Sequence, residues 1–181
     1  MPRFMVEKAI IDCFESREIL LALDLYAVYL TGARSTDWQC ISLDNVFKTL
    51  VVNKTGALLD LVVNTQWHCL ALKYKYLPMN DSRKKALRKR LRKITAKTYT
   101  YKHSLLTSIF GLALNIASET VNINPNTAER SYITSAPQIV AAKEVLRFDS
   151  LNKYLDAAAI RIVRNKLKEV NAQYPQFFLS L

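Results

Sequence analysis

Apolar positions recur at three- and four-residue steps over most of this chain, the spacing of one buried face of an α-helix. Through residues 4–30, Ile10, Cys13 and Phe14 and then Ile19, Leu20, Leu23, Ala27 and Leu30 keep that rhythm and predict one or two helices, closed by Gly32. The polar stretch RSTDWQC connects them to a shorter helix over residues 43–52. Asn53 or Thr55 is placed to cap the next helix, TGALLDLVVNTQWHCLALKYKYL, which stops at Pro78. Asn80 and Asp81 then offer caps, with an acid where the helix dipole favours one.

Beyond these caps Leu87, Leu91, Ile94, Tyr101, Leu105 and Leu112 alternate four- and three-residue steps, with Thr98 in the slot between Ile94 and Tyr101. That is a narrow apolar seam, and it predicts one long helix or two nearly collinear ones over residues 82–117. The period breaks in TVNINPNTAERSYITSAP, which reads as a long loop over residues 119–136. Ser135 is a candidate cap for a helix restarting near Pro137, and Asp149 or Ser150 for the last helix, which ends before Pro175. With three glycines and no Asn-Gly or Asp-Gly turn in 181 residues, little speaks for strands. The expectation is an all-α fold, a single helical bundle of about six to eight helices forming one domain over residues 1–181.

Charge changes this picture in one place. Residues 82–103 read SRKKALRKRLRKITAKTYTYKH, and residues 81–102 carry ten Lys or Arg against the single acid Asp81. Residues 1–80 are balanced, with eight bases and eight acids, so most of the net charge of +11 falls in this one segment. Lys85, Lys89, Lys93 and Lys97 form a row at four-residue steps, and Lys84, Arg88 and Arg92 a parallel row beside it. Like charges at that spacing destabilise a helix, and within the segment no acid is interleaved to offset them. The compensating charge is then expected from a polyanion, and Lys or Arg on successive turns can follow a phosphate backbone while displacing its counterions. A plain solvated charge run is the alternative. Arg83, Arg90 and Lys102 extend the candidate phosphate-binding set.

A second, weaker basic surface falls on the last helix, where Lys153, Arg161, Arg164 and Lys168 project opposite Leu151, Leu155, Ile162 and Val170, diluted by Asp156 and Glu169. Tyr74, Tyr76, Tyr99 and Tyr101 admit two readings, as platforms for unpaired bases or as core and rim residues. Rows of Lys and Arg reach phosphates, whereas base readout needs planar polar side chains against base edges, so binding is expected to be independent of sequence.

Catalytic chemistry finds little support. Only His68 and His103 occur, with no HExxH, C-x-x-C, glycine-rich phosphate loop or GxSxG, and no metal or cofactor is expected. Adjacent His68 and Cys69 point about 100° apart on a helix, poorly placed as base and nucleophile. Asp24, Asp44 and Asp60 show no pairing. The protein is expected not to be an enzyme. Three scattered cysteines, Cys13, Cys40 and Cys69, suit a reducing, cytoplasmic compartment rather than a disulfide framework, and the N-terminus does not read as a secretory signal. The uncharged run at residues 104–118 is shorter than the roughly 20 residues that span a bilayer. A basic stretch followed by an apolar one also suits a peripheral membrane protein on anionic lipid, but its glycine, its shortness and its continuity with the seam favour burial in a bundle.

A small, helical, basic, cysteine-poor chain with a positive helix face and no catalytic motif resembles the small subunits of CRISPR effector complexes of the Cascade type. The resemblance covers the general form and charge of the whole chain, that family having no short signature. It implies several copies side by side along a crRNA-containing ribonucleoprotein, contacts with the other protein subunits, and a role in steadying opened target DNA.

Overall fold

The computed structural model describes residues 3–31, 35–43, 47–51, 58–62, 64–94 and 147–173. The fold is all-α: the described residues hold five α-helices and two 3₁₀ turns packed around a main apolar core and a small second cluster beneath the last helix, with a two-stranded ribbon as the departure. Helix α1 spans Arg3–Glu15 and α2 spans Ile19–Thr31. Helix α1 buries Val6, Ala9, Ile10, Cys13 and Phe14, a stripe one residue type would leave in water only at a cost. Helix α2, ILLALDLYAVYLT, is apolar nearly all round and is accordingly the central helix, packing on α1 and then on the second strand of a ribbon and two further helices that follow it.

The two helices separate at a backbone feature rather than at a proline. The Glu18 amide donates to the Cys13 carbonyl at 2.8 Å and the Arg17 amide to that of Phe14 at 3.1 Å, with Arg17 left-handed at φ 60°. This is the helix-terminating motif that usually places glycine where Arg17 stands.

A 3₁₀ turn at Trp38–Cys40 follows, and then two strands, β1 at Phe47–Val51 and β2 at Leu58–Val62. They pair antiparallel from Phe47 opposite Val62 to Val51 opposite Leu58. The ribbon corrects two expectations, a helix over residues 43–52 and a helix beginning near residue 55. Apolar runs as short as FKTLV and LLDLV do not reveal their period, and their β-branched residues fit a pleated strand. The helix expected from residue 55 onwards instead begins ten residues later. Helix α3 spans Thr65–Lys73, and its cap is Asn64, whose Oδ1 accepts from the Trp67 amide at 2.8 Å. It stops before Pro78, by the same motif as α1: the Tyr76 amide reaches the Ala71 carbonyl at 2.8 Å with Lys75 at φ 51°.

Helix α4 spans Asp81–Ile94 and carries the expected cap, Asn80 Oδ1 accepting from the Arg83 amide at 2.9 Å. Leu87 and Leu91 are buried and Ile94 partly so, docking α4 on α2 and α1 as the seam requires. The rest of the seam, the collinear extension to residue 117 and the loop at residues 119–136 lie outside the described residues.

The C-terminal part returns to the core through a 3₁₀ turn at Asp149–Tyr154 and helix α5 at Ala157–Gln173. Its cap is Asp156, whose carboxylate accepts from the amides of Ala158 and Ala159, and not Asp149 or Ser150, which belong to the 3₁₀ turn. A polar cluster holds this return in place. The buried Gln66 side chain accepts from the Tyr26 hydroxyl and the Phe148 amide and donates to the Phe148 carbonyl and to Asn152, all at 2.8–2.9 Å. From the other side Arg3 donates to the Arg147 carbonyl, and the Ser150 hydroxyl to Glu7. Among the described residues no helix is long and apolar enough to cross a membrane.

Candidate nucleic-acid interface

The eight cations of α4 divide into two groups according to where the helix seam turns them. Three find acids or other acceptors within the protein. Arg83 donates from Nε to Asp24 Oδ2 at 2.9 Å and from Nη2 to Oδ1, and its Nη1 reaches the carbonyls of Leu77 and Pro78. Asp24 is 0% exposed in the middle of α2 and also accepts from the Tyr76 hydroxyl at 2.9 Å. Burial pushes the Asp24 carboxyl above its ordinary range, outweighing Arg83 and Tyr76, which pull it down. The Tyr76 hydroxyl is raised as well, by burial and then by the neighbouring carboxylate.

Arg90 reaches Cys13 Sγ at 3.2 and 3.4 Å and Glu18 at 3.5 Å. Burial raises the Cys13 thiol against the pull of that guanidinium, so the sulfur stays protonated at neutral pH. Lys84 is largely covered and lies 3.3 Å from Asp81, one turn back. Arg83, Lys84 and Arg90 are therefore held by partners within the protein, Arg83 on α2 through Asp24 and Arg90 on α1 through Cys13. The segment itself lacks interleaved acids, but Asp24 and Glu18 supply two from the neighbouring elements.

The other five, Lys85, Arg88, Lys89, Arg92 and Lys93, are exposed, have no acidic partner among the described residues, and together line one open depression of about 570 Å³. Their offsets of three, four, seven and eight residues from Lys85 place them on one face, opposite Leu87 and Leu91. Arg88 lies at the edge of this face nearest the core, its guanidinium 5.9 Å from the ring centroid of Trp38, which is 3% exposed. Lys97 and Lys102 lie outside the described residues.

The second basic surface is present in part. Arg161 and Arg164 are exposed on α5, and Lys168 belongs to that helix. The buried stripe behind them is Ala159 and Val163, packed on Cys69, while Ile162 is 44% exposed, which corrects its assignment to the apolar side. Lys153 lies beside the Tyr154 ring, at 5.0 Å. The base-stacking reading of Tyr76 falls, since its ring is buried against Trp67, and Tyr74 is half-buried against Phe14. Tyr99 and Tyr101 lie outside the described residues.

His68 and Cys69 are both buried in α3, with the imidazole edge-on to Trp67 at 5.3 Å between centroids. Among the described residues no three His, Cys, Asp or Glu side chains gather as a metal site would require. The residues that sequence reasoning missed are Asp24 and Trp38, which decide where Arg83 and Arg88 go. Asp24 had a signal: it is the one charge within an otherwise apolar helix, and a carboxylate buried there requires a cation. Trp38 had none, since a cation–π contact across different elements leaves no mark in spacing. No protein-family model matches this chain, and comparison with curated proteins and with solved structures finds no match.

Proposed function

We propose that this chain is a non-catalytic nucleic-acid-binding subunit of a ribonucleoprotein that holds phosphate backbone through α4, independently of base sequence. The observation that carries the reading is the five-cation face, which has no acidic partner among the described residues and lies in a single depression. Clustered cations without counter-charges repel one another, and a phosphate run supplies the missing charge while releasing its own counterions. Arg161 and Arg164 on α5 are a secondary contact of the same kind.

The resemblance to Cascade-type small subunits supplies the setting: several copies side by side in a CRISPR effector complex, each steadying target DNA beside crRNA and the other subunits. It rests on the chain's general form and charge. Five cations on one short helix bind weakly alone, and neighbouring copies would raise the effective concentration of each face.

Replacing Lys85, Lys89 and Lys93 together by Glu tests the reading. The variant should keep its helical circular dichroism, because Leu87, Leu91 and Ile94 are untouched and like-charge repulsion is relieved. Oligonucleotide affinity should collapse, and the log–log salt slope should shrink by roughly 2 to 3 units for three lost phosphate contacts. Unchanged affinity and slope would reduce the face to a solvated charge run. Co-purification of a short RNA of uniform length with other subunits would support the effector-complex setting, and flotation with anionic vesicles would speak for lipid instead.

A further inference from the structure

Helix α4 docks through a narrow apolar stripe. At about 100° per residue, Leu87, Leu91 and Ile94 span about 60° of its circumference, against roughly 100° or more for an ordinary core-facing helix. Cations crowd both edges: Arg83 and Arg90 stand within about 40° of one, Lys84 and Arg88 within about 60° of the other. A turn of about 50° either way would set Arg83 or Lys84 in the middle of the stripe, so the apolar contacts alone fix the rotation of α4 loosely.

The contacts on its flanks differ in how firmly they can hold it. Glu18, which meets Arg90 at 3.5 Å, is 52% exposed, so water and salt screen that pair. Arg88 lies 5.9 Å from the Trp38 ring centroid, near the outer limit of a cation–π contact. Asp24 differs from both. It is 0% exposed, accepts from Arg83 Nε at 2.9 Å and from Nη2, and accepts from the Tyr76 hydroxyl at 2.9 Å. A site without access to water offers no substitute for Arg83, so any setting of α4 that withdraws the guanidinium strands a charge in the core. In an otherwise apolar helix such a pair adds little stability that well-packed apolar side chains would not, and its best-attested use is to fix one arrangement among similar ones.

We propose that Asp24 is a positioning residue: through Arg83 it sets the rotation of α4 about its own axis and so decides which cations face outward. This deepens the nucleic-acid reading given above by naming what turns the binding face, and it rests on that reading only where binding is measured.

Asp24→Asn tests the proposal, since asparagine keeps the shape and an acceptor for Tyr76 but loses the charge. Arginines of the full chain are modified with phenylglyoxal and lysines with acetic anhydride, and each rate is read by mass spectrometry. Lys84 and Arg90 are largely covered and have other partners, yet both should react about threefold faster or more in the variant, with helical circular dichroism unchanged. Arg3, bonded to the Arg147 carbonyl, is the control and should keep its rate. Faster reaction of Arg83 alone would overturn the proposal, because Asp24 would then hold only its own partner. Faster reaction of Arg3 as well would mean general loosening and would overturn it too. Arg83→Lys, which keeps a cation for Asp24, should leave Lys84 and Arg90 at their original rates, and Arg83→Gln should raise both; equal rates in these two variants would also overturn it. Asp24→Asn adds to the net positive charge, so charge alone would tighten binding to a labelled single-stranded 12-mer, whereas a loss of about threefold or more at low salt is expected. Affinity kept while the rates rise would count against the nucleic-acid reading and leave the role of Asp24 standing. Failure of the unaltered chain to bind would remove that reading, and the modification rates would still decide the proposal.

Discussion

Arg83 and Lys85 stand two positions apart on the same helix and have opposite fates. Arg83 is drawn inward by Asp24, a carboxylate with no access to water, and holds it with two hydrogen bonds. A buried carboxyl whose pKa is raised binds its proton more tightly folded than unfolded. Stability on its account therefore falls as pH climbs above the unfolded value of 3.8 towards the folded one. Arg83→Met removes the cation that opposes this rise. The variant should lose about 3 kcal/mol at pH 7, where a buried carboxyl has lost the cation that favours its charged form, and less near pH 4, where a protonated carboxyl needs no cation. Urea titrations of both proteins at the two pH values check this. A pH-independent loss would show that Arg83 acts through packing and not through charge.

At the scale of the element, two helices end on residues that favour other backbone conformations. Arg17 and Lys75 hold φ of 60° and 51°, in the left-handed region where a Cβ is costly. Glycine there loses more freedom on folding but escapes that clash, so Arg17→Gly or Lys75→Gly should stabilise by about 0.5–1 kcal/mol, read as a higher Tm. The same substitution at Arg161, in the body of α5, should destabilise by a similar amount. Helix α4 shows how much of an element can be legible beforehand. Its asparagine cap, its Leu87–Leu91 seam and its outward cationic rows all follow from positions in the chain. The β1–β2 ribbon was not legible, because five-residue runs are too short to display a helical or strand period.

Across the whole molecule, Gln66 is the buried hydrogen-bonding link between the segment that follows residue 146 and α2, beside the packing of α5 on α3. Its amide spans from Tyr26 on α2 to Phe148 and Asn152, some eighty positions along the chain. Gln66→Leu removes these bonds and leaves the Phe148 amide unsatisfied in the core, while the Phe148 carbonyl keeps the Leu151 amide at 3.0 Å. A buried group left so costs about 1–3 kcal/mol, so global stability should fall by at least that much. Amide exchange should accelerate first in residues 148–154, with α1 and α2 protected longer. Uniform acceleration over the whole chain would mean that Gln66 supports the core at large rather than the docking of this segment.

Local rules carry far in this protein because helix periodicity, caps and charge rows depend only on residues three or four positions apart. The helical character of α1, α2 and α4, the Asn80 cap and the positive face of α4 needed nothing more. What distinguishes an outward-facing cation from an internally paired one depends on contacts between residues far apart in sequence. Asp24 lies 59 positions from Arg83, and Cys13 lies 77 from Arg90. Neither distance leaves a periodic trace, so among eight equivalent-looking cations Arg83 and Arg90 were drawn to partners on other elements only when the helices packed, while Lys84 pairs within its own helix and five face outward. Tertiary structure made that choice for Arg83, since a buried acid takes a base from the helix docked against it and leaves the remainder facing outward.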